Sequence, residues 1–111
     1  MGMTETGGVT FVLIARVPAE GVTAFRAYED RVLPLLGECG GQLQRRMRND
    51  DGTIEMHVVW FAATAAFERY RSDPRRAAFA PLLKRPGAVM ELFARADGGD
   101  GIGDDHLRPV E

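Results

Sequence analysis

Histidine is the side-chain type whose ionisation normally falls near neutral pH, and one histidine, His57, stands in a stretch that reads as folded. Its natural chemistry is that of a general base moving a proton on a bound ligand. Around it the sequence supplies Arg46, suited to stabilising a developing oxyanion, and Tyr70 as a third catalytic candidate. Tyr28 and Trp60 offer aromatic surface for holding a substrate. If Trp60 and Arg46, on neighbouring strands, both face the interior, they form a stacking surface and an anion clamp for a planar, acidic ligand. Packing roles stay open for all of them. A strand histidine can be hydrogen-bonded within a core, and both tyrosines lie on apolar helix stripes. Trp60 can fill a dimer core, and Arg46 can pair with Glu55 or Glu91 across strands. Arg75 and Arg76 follow a helix N-cap, where positive charge opposes the helix dipole; they mark either an anion-contact edge or a solvated face.

Other chemistries lack their parts. The one serine, Ser72, belongs to a helix boundary, so a Ser-His-Asp arrangement has no nucleophile. The clustered glycines fall at helix ends and near the C-terminus rather than between a strand and a helix, which excludes a phosphate loop. His57 with Glu55 gives at most a pair of ligands on one face, so no metal is expected. A single cysteine, Cys39, excludes an internal disulfide and a multi-cysteine zinc site. Fourteen basic against sixteen acidic residues leave a formal charge of −2, contrary to nucleic-acid binding despite the basic run from Arg45 to Arg48. The longest apolar run, residues 9–15, is far short of the roughly 20 residues that span a bilayer, and no basic segment precedes it as in a secretory signal. The chain reads as cytoplasmic, with neither membrane nor nucleic acid as partner.

The elements that must position these residues follow from hydrophobic period. The 111 residues, 45% hydrophobic and 27% charged, suit one domain. Residues 9–17 (VTFVLIARV) read as a central strand covered on both faces. From Val22 the period turns helical, with Phe25, Tyr28, Val32, Leu35 and Leu36 on one stripe, a kink or tightened turn expected at Pro34, and a stop at Gly37 and Gly40-Gly41. Residues 42–49 alternate, Leu43 and Met47 against Gln44, Arg46 and Arg48. Asn49-Asp50-Asp51-Gly52 is a hairpin turn leading into a strand over 53–61. A second helix opens at Thr64, taken as its N-cap, and restarts with Asp73 as N-cap and Pro74 at the first helical position; Pro81 suggests another break. Residues 88–95 form the last strand.

The order is β-α-β-β-α-β, an α+β ferredoxin-like sheet of four antiparallel strands with both helices on one face. Residues 1–8 read as a flexible arm, 9–95 as the domain, and the acidic, glycine-rich 96–111 as a flexible tail. The uncovered sheet face would include some of Phe11, Leu13, Val58, Trp60, Val89 and Phe93, too much apolar area to leave wet. A second copy packed sheet to sheet covers it, so a homodimer is expected.

The segments AYEDRVLPLLGECGG and VVWFAATAAFERYRSDPRRAAFAPLL resemble the small dimeric α+β barrel proteins. The likeness covers residues 9–95 and is greatest to an actinobacterial-type group of uncharacterised function. It extends more distantly to the antibiotic-biosynthesis monooxygenases, the stress-responsive barrels and the NIPSNAP-type proteins. The resemblance implies the fold and the dimer. The monooxygenase and haem-degrading branches often carry Trp at the end of the third strand and His nine positions later. Phe61 and Tyr70 stand there, so those branches' catalytic and haem residues do not carry over.

Together these features imply a cofactor-free small-molecule enzyme of oxygenase, cyclase or isomerase type, acting on an aromatic or polyketide-like metabolite within a homodimeric barrel. The alternative is a non-catalytic ligand-binding or stress-associated dimer.

Overall fold

β1 (Val9–Arg16) carries the most continuous apolar run in the chain, and it takes the centre of the sheet. It pairs antiparallel with β3 (Ile54–Phe61) on one side and β4 (Val89–Ala96) on the other, while β2 (Gly41–Arg48) flanks β3. The structure is a computed structural model that describes residues 8–84, 87–96 and 106–110. Three helices, α1 (Val22–Glu38), α2 (Thr64–Arg71) and α3 (Pro74–Lys84), lie on one face, giving the expected α+β ferredoxin-like arrangement. None of the described helices is long and apolar enough to cross a membrane.

Among the described residues the sheet has five strands rather than four. β5 (His106–Pro109) pairs antiparallel with β4, which corrects the reading of the whole C-terminal stretch as a flexible tail. The rest of that stretch, 97–105, lies outside the described residues, as does all of the expected arm except Gly8. Without β5 the far edge of β4 would present a row of unpaired backbone groups. Val110 completes the edge, its N–H donating to the Leu92 carbonyl at 2.8 Å while its side chain packs on the core.

α1 buries its predicted stripe, and the prolines do not break the helices. Pro34 and Pro81 are both exposed, so the carbonyl that loses an N–H partner at each can turn to water, and α1 and α3 continue through. Thr64 is the first helical residue of α2 rather than its cap; Ala63, extended and without a side-chain cap bond, precedes it. Asp73 caps α3 as expected, accepting the Arg75 N–H at 2.8 Å.

Strand alternation decides what each sheet face carries. On β1 and β3 the odd-numbered residues turn toward the helices. Phe11 stacks on Phe67 of α2 with ring centroids 3.9 Å apart, and Phe61 meets both edge-on. Phe11 and Leu13 therefore belong to the helix-facing side, not to the open face where the sequence reading allowed them. The open face carries Val12, Ile14, Met56, Val58, Trp60, Val89 and Phe93.

One irregularity resets this alternation. A bulge between Leu43 and Arg45 leaves Gln44 without a partner on β3. Leu43 pairs with Val59, yet Arg46 pairs with His57 and Arg48 with Glu55, so all three look toward the helices while Met47 turns to the open face. The expected grouping of Leu43 with Met47 is corrected, because a single inserted residue flips every side chain beyond it.

Gly41 shows how tightly β2 meets the helix layer. A Cβ there would lie 2.6 Å from Leu36 Cδ1 and 2.8 Å from Phe61 Cε1, whereas one at Gly37 would meet nothing within 4 Å. Gly41→Ala is expected to cost about 1–3 kcal/mol, and Gly37→Ala, in an exposed helical turn, to gain about 0.5–1 kcal/mol. Urea unfolding checks both: opposite shifts of midpoint at a common slope are the expected result.

Candidate active site

Three ionisable side chains are buried where the sheet meets α1. Glu29 lies on the buried stripe of α1 beside Tyr28 and Val32, and Glu55 and His57 alternate on the inward face of β3. His57 Nε2 contacts Glu55 Oε2 directly and lies 3.1 Å from Glu29 Oε2. The two bulge-turned arginines close the cluster from the sheet edge. Arg46 donates from Nη2 to Glu29 Oε1 at 2.8 Å and from Nε to Glu55 Oε2 at 3.2 Å; Arg48 Nε donates to Glu55 Oε1 at 2.6 Å. Both guanidinium groups keep about a third of their side-chain surface in water (31% and 32%), so the cluster is dry on one side and wet on the other.

Burying two carboxylates together splits their proton affinities. Burial pushes Glu29 above its ordinary value, and the neighbouring Glu55 carboxylate adds to this, against the opposing pull of His57 and Arg46. Burial would raise Glu55 as well, but hydrogen bonds with Glu29, Arg48 and His57 outweigh it and bring Glu55 down to about 2. Glu55 is thus the permanent anion of the cluster, and Glu29 is the carboxyl that more readily holds a proton.

Glu29, Glu55 and His57 each offer one atom within 4.8 Å of the others, close enough to face a common metal ion. The donor set argues otherwise. Carboxylate oxygens on both residues already accept from guanidinium groups, and two arginines balance two carboxylates without a further cation. The arrangement is that of an ion-pair network.

His57 also looks into a cavity of about 190 Å³ between sheet and helices, whose wall includes Phe11, Leu36, Phe67, Tyr70, Arg71 and Arg76. A smaller adjoining space of about 40 Å³ is shared by His57, Tyr28, Glu29, Tyr70 and Arg76. The Arg76 guanidinium sits 4.5 Å from the Tyr70 ring centroid, and its Nη2 donates to Tyr28 Oη at 3.3 Å. Burial pushes the Tyr70 hydroxyl above the ordinary tyrosine value.

The structure thus brings His57, Tyr70 and Tyr28 to one interior. Arg46 is tied to the carboxylates behind His57 and does not line the cavity; its partner is Glu55, with Glu29 added, while Glu91 pairs with Arg16 at the surface. Trp60 does not join the group. Three residues along β3 from His57, it lies on the opposite face, so the stacking surface and the anion clamp imagined for Trp60 with Arg46 do not form. Arg75 is a surface residue paired with Asp73 and Glu38, each at 2.8 Å. The helical period puts Glu29 with Arg26, Asp30 and Arg31 mostly on the polar side of α1, and the structure corrects this by burying it beside Tyr28 and Val32. Its place between Tyr28 and Val32 was the available signal.

The electrostatics predict a response to acid. Glu55, held near 2, contributes stability that is complete above its unfolded value of about 4.5 and is lost as pH falls through the folded one. Glu29, raised, has the opposite sign: its contribution is complete below its unfolded value and fades as pH rises. Glu55→Gln should therefore cost roughly 2–3 kcal/mol at neutral pH and flatten the loss of stability between about pH 5 and about pH 2. Glu29→Gln, which mimics the protonated acid, should cost clearly less. Urea midpoints measured across pH for the three proteins check both statements.

No family model matches the chain, and no curated protein matches it. Similar solved structures exist at the level of fold. SnoaB, a cofactor-independent oxygenase from Streptomyces nogalater, superposes with a TM-score of 0.70 at 17% identity, over 87% of this chain and 98% of that one. A NIPSNAP family protein of unknown function from Agrobacterium tumefaciens gives 0.60 at 13% identity, over 86% and 95%. A candidate antibiotic-biosynthesis monooxygenase from Caulobacter crescentus gives 0.56 at 14% identity, over 78% and 87%. The chain shares the ferredoxin-like barrel fold of these proteins, in keeping with the distant likeness its sequence carries.

Proposed function

We propose that this chain is a homodimeric, cytoplasmic, cofactor-free enzyme of oxygenase, cyclase or isomerase type, in which His57 moves a proton on a small aromatic or polyketide-like metabolite. The observation that carries the proposal is a buried histidine backed by a carboxylate and facing an interior cavity that two tyrosines also border. Because Nε2 is given to the carboxylates, the other ring nitrogen is the one left to accept a proton from substrate. Glu55 then plays the orienting and charge-stabilising part that a buried carboxylate plays behind a catalytic imidazole. Tyr70 and Tyr28 hold the substrate, and Arg46 with Arg48 keeps Glu55 in place. A cavity of about 190 Å³ is below the roughly 300–1,000 Å³ of pockets for drug-sized ligands, which favours a compound of one or two rings. That a structure of the same fold belongs to a cofactor-independent oxygenase supports the reaction class.

The dimer is proposed on separate grounds. Val12, Val58 and Phe93 sit side by side across the middle of the open sheet face, with Ile14, Met56 and Trp60 around them, and no described element covers them. A second copy packed on this face would take that apolar surface out of water.

Hydrogen–deuterium exchange at carbon, followed by NMR on a panel of one- and two-ring aromatic compounds bearing an acidic C–H, tests the catalytic reading. Wild-type protein should accelerate exchange on at least one member, and His57→Ala should lower that rate by about 10²-fold or more while leaving the assembly unchanged. Unchanged exchange in His57→Ala would remove His57 from the mechanism; no exchange on any member would leave a ligand-binding or stress-associated dimer as the better reading. For the dimer, light scattering at micromolar concentration should show two copies in wild type and one in Val58→Lys. A monomeric wild type overturns it.

A further inference from the structure

Arg76 is a cation of this interior that, among the described residues, meets no carboxylate. Glu29 and Glu55 are balanced by Arg46 and Arg48, and Arg75 pairs with Asp73 and Glu38. Among the described residues no acidic side chain pairs with Arg76. Its polar contacts are neutral: Tyr28 Oη at 3.3 Å from Nη2, the Arg71 carbonyl at 3.4 Å from Nη1, and the Tyr70 hydroxyl, whose ionisation it favours. Its Nε is buried with no hydrogen-bond partner at all. A buried donor left unpaired is costly, and more so on a cation. Such a cost persists where a ligand relieves it.

The place of Arg76 is equally specific. It lines the larger cavity and the small adjoining space, each of which it shares with His57 and Tyr70. Its guanidinium lies 4.5 Å from the centre of the Tyr70 ring, a face-on cation contact that keeps the group inside without neutralising it. Nε and Nη2 form one edge of the guanidinium. One of these nitrogens has no partner and the other has only a weak one, and that edge matches the two oxygens of a carboxylate. The weakness of both outer bonds lets the group swing slightly to present it. The Tyr28 hydroxyl, which only accepts from Nη2, keeps its own proton to donate to the same anion.

We infer that Arg76 is the anion anchor of this cavity, and that the ligand is an aromatic carboxylate of one or two rings, its acid group on Arg76 and Tyr28 and its ring among Phe11, Phe67 and Tyr70, toward His57. This rests on the cavity's being the ligand site of the proposed function, and it adds the charge of the ligand. It also moves the anion contact from Arg46 to a residue of α3.

Equilibrium binding tests it without requiring turnover. The probes are 1-naphthoate and its neutral isostere 1-naphthamide, titrated calorimetrically against the full chain. Wild-type protein should bind the carboxylate at least about tenfold more tightly than the amide. Arg76→Gln should remove that preference, Arg76→Lys should keep part of it, and Tyr28→Phe should reduce it several-fold. Arg16→Gln, at the surface and away from the cavity, should leave it intact. Equal affinity for the two probes in the wild type overturns the inference, and needs no variant to fold. So does a preference that survives Arg76→Gln, or one that falls only in Arg71→Gln. Selective carboxylate binding without any carbon exchange would sink the catalytic reading alone; exchange without carboxylate preference would sink this one alone.

Discussion

Two carboxylates and an imidazole held out of water beneath α1 impose the strictest condition on this molecule. Charges so placed are tolerated only when paired and hydrogen-bonded. Here the pairing comes from a strand at the sheet edge, through Arg46 and Arg48, whose outer sides stay in contact with solvent. The arrangement spares the protein the full penalty of burying the cations and still gives both carboxylates a strong partner. It also ties β2, β3 and α1 together at one point, so the position of His57 is set by electrostatics as much as by packing.

Away from that point the interior is an ordinary apolar core in two parts. One is built on Phe11, Phe61 and Phe67, the other on Phe25, Tyr28 and Val32. The cavity opens where these parts leave space, and His57 stands at its wall. A rigid aromatic floor, a fixed imidazole and the Arg76 cation face one another across it. That combination suits recognition of a flat anion more than it suits packing, since a core optimised for stability alone would have closed the gap and omitted the guanidinium.

Much of this was legible in the residues and some was not. The element order followed from changes of hydrophobic period, because strands and helices bury stripes of different spacing, and the turn at Asn49 to Gly52 announced itself by composition. His57, Tyr28 and Tyr70 could be singled out because few residue types do proton chemistry or present a flat ring. Trp60 could not be placed by type alone; it takes the counting of strand alternation from a known register to put it on the face opposite His57. Gln44 defeated the reading of β2 altogether. A bulge has no strong sequence signature, and a pattern that assumes perfect alternation sends Arg46 and Arg48 to the wrong side. The fifth strand was hidden for a related reason: four residues closing an edge, after a stretch that resembles a linker, carry too little pattern to stand out.

The bulge at Gln44 has a consequence for descent. Substitutions along β2 can weaken the arginine pair one member at a time, but they cannot change which face the strand's later residues look toward. Only a slip of register against β3 can do that, and it would do so for all of them at once. Pairing Gln44 into the ladder opposite Val58 in place of Arg45 would turn Arg45 and Met47 inward and strand two carboxylates beneath α1 without cations. The register of this strand is therefore under a constraint separate from its composition. Relatives that share the carboxylate cluster should keep cations opposite His57 and Glu55, either with this bulge or with a strand one residue shorter.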